Sequence, residues 1–231
     1  WASVTMNAGQ TCMAPRRVLV HAEQHAAFVA ALVRLAAGAG MRNLIDADAA
    51  NRHRDLVEDA IRRGGQPAAQ VADPAEGRRV RPQVILDCPL DAEAFNGDHF
   101  GPLLVVRAWR TETELFALHQ RGGKHLATSV FTANHRRVDR LIPLLGGGLV
   151  TINDCVIPSA HPAATLSPVG SSGWGSSRGT EGLLAMTRPV VVTRTGRWRI
   201  PAGEPDPRGK RMLEKMVRRW GRGITPPPET N

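Results

Sequence analysis

The residue best suited to covalent chemistry is Cys12, which follows a Gly-Gln pair in Asn7-Ala8-Gly9-Gln10-Thr11-Cys12-Met13-Ala14-Pro15-Arg16-Arg17. A thiolate attacks a carbonyl well and leaves again when water arrives, so a cysteine presented at a turn can serve as a nucleophile. The alternative is a small, apolar and inert cysteine. Cys88 and Cys155 are far away in sequence, and three widely spaced cysteines with no CxxC pair predict neither a disulfide framework nor a structural metal site. His99, His119, His125, His135 and His161 are scattered without metal-ligand spacing. Gly146-Gly147-Gly148 precedes a strand-like run, and no Lys-Ser/Thr follows, so it reads as a turn rather than a phosphate-binding loop.

Elements must carry these residues, and the pattern supplies them. Residues 17–20, RVLV, read as a strand, and Glu23 to Ala37 follow with amphipathic helical spacing. A second helix is expected over 52–65, ending at Gly64-Gly65. Strands are expected at 80–86 (VRPQVIL) and 101–109 (GPLLVVRAW), the latter apolar throughout as a strand covered on both faces would be. Thr111 is an N-cap candidate for a helix through LFALHQ, ATSVFT (127–132) is a strand, HRRVDRLIPLL is helical, and LVTIN (149–153) is a further strand. This alternation predicts an α/β fold with a parallel sheet. Residues 165–182 are Gly- and Ser-rich and read as a surface loop, and PVVVTR (189–194) reads as a last strand outside the alternation.

With 231 residues and 42% hydrophobic content, the chain can fill a real core. No run approaches the roughly 18 apolar residues of a membrane span, and a cytoplasmic location is expected. The formal charge of +9 is unevenly spread: from Arg194 onward ten Lys/Arg stand against four Asp/Glu, leaving +3 for residues 1–193. The organisation expected is therefore a domain over 1–193, then a Pro/Gly/Arg-rich linker and basic tail over 194–231. That tail holds a candidate helix at 207–220, with Met212, Leu213, Met216, Val217 and Trp220 along one face. A basic amphipathic helix suits an acidic partner, a membrane surface or nucleic acid, and no specific nucleic-acid motif accompanies it.

Five collinear segments resemble the aldehyde dehydrogenase superfamily. NAGQTCMAPRRVLV is similar to its catalytic-cysteine pattern N-x-G-Q-x-C-x-A, with Arg two residues later and a strand after that. DHFGPLLVV (98–106) is similar to its E-x-F-G-P segment, LATSVFT to its strand of the same position, and GGLVTIND to its G-x-V-x-i-N turn. SPVGSSGWGSSRGTEGLLAMTRPVVV (167–192) is similar to the closing segment, P-F-G-G then S-G-x-G. The likeness covers about residues 3–193. Asp98 stands where the family has glutamate, Val169 where it has phenylalanine, and the chain between Ala37 and Asn51 is short.

The resemblance implies a Rossmann-like catalytic domain with a final strand that crosses to an oligomerisation sheet, hence a homo-oligomer. It implies oxidation of an aldehyde to a carboxylic acid with NAD or NADP, through a thiohemiacetal and thioester on Cys12. Asp98 and Phe100 would bind the nicotinamide end of the cofactor, and Asn153 would lie near the substrate. The dinucleotide-binding half, which precedes the cysteine in the family, is expected outside this sequence; one reading places it in an N-terminal half on another chain, and truncation is the other. By itself the chain is then expected not to turn over. The alternative expectation is an inactive remnant or interaction module of the same fold.

Overall fold

The computed structural model describes residues 1–69, 77–123, 125–156, 160–194, 203 and 206–220. It divides into two compact units, Trp1–Arg188 and Pro189–Asn231.

In the first unit a single helical turn, α1 (Ala2–Thr5), continues into a 3-10 turn (Met6–Gly9). Strand β1 (Arg17–His21) then runs directly into α2 (Ala22–Ala37). After β2 (Arg42–Asn43) comes α3 (Ala47–Arg62), five residues longer at its start than periodicity alone suggests. Asp46 is the reason: its Oδ1 accepts from the Ala49 N–H at 2.7 Å, which satisfies one of the donors a helix start leaves open.

Strands β3 (Gln66–Pro67) and β4 (Arg79–Val80) are two residues each, and β5 (Gln83–Leu86) follows. The single strand expected over 80–86 is thus split. Pro82 has no N–H to give a ladder, so Arg79–Val80 pairs antiparallel with β2 while β5 joins the main sheet. The turn α4 (Glu93–Asn96), β6 (Leu103–Trp109) and α5 (Glu112–Gln120) come next. Thr111 caps α5 as expected, accepting from the Glu114 N–H at 3.2 Å.

The main sheet has the order β1-β6-β5-β3, with β1, β6 and β5 parallel and β3 antiparallel to β5. Strand β6 is apolar on both sides because both sides are covered. Leu103 and Val105, with Ile85, face Val57 and Ala60 of α3, Phe95 of α4 and Leu118 of α5. Leu104 and Val106, with Val84, face Val4 of α1 and Leu32 and Ala36 of α2. The period-two alternation of a strand thus feeds two cores at once.

Strand β7 (His125–Val130), helix α6 (His135–Leu145) and β8 (Gly147–Ile152) complete the alternation. β7 and β8 pair parallel in a sheet of their own. The Gly/Ser segment holds more order than a plain loop: a bridge joins Leu166 to Ser177, and α7 (Gly179–Ala185) begins inside it.

In the second unit, residues 189–194 pair with no strand among the described residues, and Val190, Val191 and Val192 are exposed. An extended segment without a ladder to join is not a strand, so the last strand expected there is not formed among the described residues. Helix α8 (Pro207–Trp220) matches the expected bounds. Most of the expected linker (195–202, 204–205) and the TPPPETN end lie outside the described residues. Among the described residues no helix is long and apolar enough to cross a membrane.

Candidate active site

The segment that delivers Cys12 is built on unusual backbone. Asn7 (φ 48°), Ala8 (φ 54°) and Gly9 (φ 71°) are three successive left-handed residues, two of them non-glycine. Such residues cost of order 1 kcal/mol or more each and persist only where their surroundings hold them. Gln10 does much of the holding. Its backbone N–H and Nε2 both donate to the Asn7 carbonyl, at 3.0 and 3.2 Å, and its Oε1 accepts from the Ile45 N–H at 2.8 Å. Asn7 Nδ2 answers by donating to the Gln10 carbonyl at 3.3 Å. Ala8 packs with Leu44, Ala49, Ala50 and Val80 in a small third core. Beyond Gln10 a turn closes from the Ala14 N–H to the Thr11 carbonyl at 3.1 Å, and Cys12 is exposed on it.

Arg16 couples this turn to the Asp98–Gly101 loop. Its Nε donates to the His99 carbonyl at 2.6 Å, and its Nη1 donates to the Cys12 carbonyl at 3.4 Å. Nη1 also lies 3.6 Å from Asp98 Oδ1, and the guanidinium sits 5.1 Å from the Phe100 ring centroid. Burial lowers the Arg16 pKa, opposed by the Asp98 carboxylate and by Cys12. Sequence reading marked Arg16 only as a motif residue; its reach across both segments becomes visible once β1 and β6 are side by side. The contact at Gly9 is closer still, since a Cβ there would lie 2.3 Å from the Gly101 carbonyl oxygen. Gly101 in turn sits on His53, whose Nδ1 would be 2.6 Å from a Cβ at that position.

Beneath this layer lie two buried histidines that sequence reading did not assign. His53, on α3, bonds the Arg81 backbone, and its pKa is lowered to about 4 by burial, with Arg54 adding to the effect. His99 is lowered to about 3 by burial, then by Arg16 and His53, and neither of its ring nitrogens has a hydrogen-bond partner among the described residues. Both are neutral at pH 7.

Asn153 does not join this group. It ends β8 in the left-handed region (φ 57°), its Oδ1 accepts from the Thr132 N–H at 2.8 Å, and its Nδ2 donates to the Thr132 carbonyl at 3.0 Å. Both ends of its amide therefore tie β8 to the segment after β7. Cys12, Asp98 and Phe100 are brought together through Arg16; Asn153 is placed on the separate β7–β8 pair. Of the other thiols, Cys88 is buried in the core and raised to about 11 by that burial, while Cys155 is half-buried.

An open cleft of about 870 Å³ runs along α3 to Gln10, Asp98, His99, Phe100 and Gly101; Cys12 lies outside its lining. At its end stand an exposed aromatic ring, that of Phe100, and a largely exposed carboxylate, that of Asp98, an apolar face beside a hydrogen-bond acceptor.

The comparisons with known proteins bear on the family and the fold. A model of the aldehyde dehydrogenase family matches residues 1–192. A probable coniferyl aldehyde dehydrogenase of Caulobacter vibrioides is 30% identical over 201 residues, covering 81% of this chain and 41% of that protein. Succinate-semialdehyde dehydrogenase (NADP(+)) of Deinococcus radiodurans is 30% identical over 207 residues, covering 80% of this chain and 41% of that protein. Among solved structures, the NAD+ complex of an aldehyde dehydrogenase from Bacillus cereus superposes with a TM-score of 0.75 at 27% identity, over 81% of this chain and 40% of that one. The chain spans about two fifths of the length of the relatives it matches. Its α/β sheet, its motif order and the family match over residues 1–192 together establish that the chain belongs to the aldehyde dehydrogenase family.

Proposed function

We propose that this chain carries the catalytic portion of an enzyme that oxidises an aldehyde to a carboxylic acid, with Cys12 as nucleophile. The Cys12 sulfur adds to the aldehyde carbon and forms a C–S bond, giving a thiohemiacetal whose oxyanion accepts from the Cys12 backbone N–H. Loss of one such donor elsewhere costs roughly 10² to 10³ in rate. Held at its nicotinamide end by Asp98 and Phe100, NAD or NADP would supply the acceptor for the hydride whose loss from the thiohemiacetal carbon leaves a thioester. Water then breaks the C–S bond, releasing the carboxylate and returning the thiol. Asp98 and Phe100 hold the nicotinamide end, Arg16 positions both them and the Cys12 turn, and Asn153 borders the aldehyde. The rest of the family fold supplies the dinucleotide-binding half, from an N-terminal portion on another chain or on the same one.

The observation that carries this reading is an exposed thiol on a constrained turn, joined by one arginine to a carboxylate and an aromatic at the end of a cleft. We assign residues 1–193 to the catalytic domain and 194–231 to a linker and basic tail, in a cytoplasmic homo-oligomer. The exposed Val190, Val191 and Val192 support an assembly strand completed by another copy. Asn153, whose amide is already engaged by Thr132, favours the second reading, a non-catalytic member of the family. The test is Cys12→Ser in the enzyme assembled with its dinucleotide-binding half. A fall in NAD(P)H formation of on the order of 10³-fold or more is expected. Unchanged turnover, or an inactive but fully folded unmutated assembly, would sink the proposal.

A further inference from the structure

Helix α8 carries six basic residues, Arg208, Lys210, Arg211, Lys215, Arg218 and Arg219, against one acid, Glu214. At 100° per residue, Met212, Met216, Leu213 and Val217 fall in that order on one arc of about 140°. Met212 is 50% exposed, Met216 36% and Val217 67%, and Leu213 between them is half-buried. Both borders of the arc are basic, with Lys210 on one side and Arg208 and Arg219 on the other.

We propose that α8 docks this protein onto an anionic lipid bilayer, lying in the plane of the interface with the Met212–Val217 face among the acyl chains. Two observations select a bilayer. The charge of the helix demands an anionic partner, which disfavours a purely apolar groove. Nucleic acid would satisfy the cations and leave the methionine, leucine and valine side chains in water. A charged plane with an apolar interior meets both demands, because the aliphatic stems of the bordering Lys and Arg run up from the buried face to the headgroups. A helix of 14 residues is about 21 Å long, too short to span a bilayer and sufficient to lie along it.

The experiment is co-sedimentation of the 231-residue chain with phosphatidylcholine vesicles and with vesicles that also contain phosphatidylglycerol. Binding is expected to the second kind only, falling as salt is raised. Arg218→Gln with Arg219→Gln should weaken it about fivefold for each charge removed. Met216→Glu with Val217→Glu should abolish it, whereas Met212→Leu with Met216→Leu, which keeps helix and face, should retain it. Absence of binding, equal binding to both vesicles, loss in the leucine variant, or retention in the glutamate variant would each overturn the proposal. So would duplex DNA binding that is tighter than vesicle binding and survives the glutamate substitutions.

Discussion

Any residue but glycine would bring a Cβ to position 9, and there is no room for it. The position combines φ of +71° with a carbonyl oxygen, that of Gly101, 2.3 Å from where a Cβ would stand. Gly9→Ala must therefore push apart the turn bearing Cys12 and the loop bearing Asp98 and Phe100. Left-handed strain alone costs roughly 1 to 2 kcal/mol, and the overlap adds to it. The expected result is a loss of at least about 2 kcal/mol in urea unfolding together with slower alkylation of Cys12 relative to Cys155. An unchanged midpoint would show that the close approach is not maintained in solution. At this scale motif spacing, which is local, singled out Cys12, Asp98 and Phe100, and the fold brings all three to Arg16. It was silent on Arg16 as a link and on His53, since both act across contacts between segments some 40 or more residues apart.

Elements with many periods of pattern were legible: α2, α3, α5, α6 and α8, and the strands β1, β6, β7 and β8. The short elements α1, β2, β3, β4 and α4, of two to four residues, carry too few positions for a period to register, whereas β5, equally short, lies within the apolar run expected as a strand. Pro82 was a visible breaker within 80–86 and marks where that segment changes sheets. Between elements, Arg17 is a comparable pin. From β1 it donates to the carbonyls of Phe95, His119 and Arg121, at 3.4, 3.2 and 2.8 Å, and lies 4.9 Å from the Phe95 ring centroid. Burial lowers its pKa to about 10, so it remains charged at neutral pH. Removing it takes a donor from three carbonyls at once. Arg17→Ala is expected to cost roughly 3 kcal/mol by chemical denaturation, while Arg17→Lys recovers only part because an ammonium cannot fork to the same carbonyls. Full recovery by lysine would disprove the forked role.

For the whole molecule, acid is the condition that exposes the buried histidines. Folded, His53 and His99 stay neutral down to about pH 4 and pH 3, whereas in the unfolded chain each titrates near 6.5. The unfolded state therefore takes up protons first, so stability present above pH 6.5 is lost progressively as pH falls toward 3. Between pH 7 and pH 5 the loss is about 2 kcal/mol for each group, with the two coupled rather than independent. Urea midpoints measured at both pH values should diverge for the wild type and draw together in His99→Gln; a flat wild-type profile would refute the assignment. The same architecture sets how the molecule comes apart. β6 is a party wall, with Leu103 and Val105 belonging to one interior and Leu104 and Val106 to the other. Neither interior can be opened without stripping the wall from its neighbour, and the loop bearing Asp98 and Phe100 is its leading edge. The two interiors are thus expected to be lost together, and the anchor of the Asp98–Gly101 loop with them.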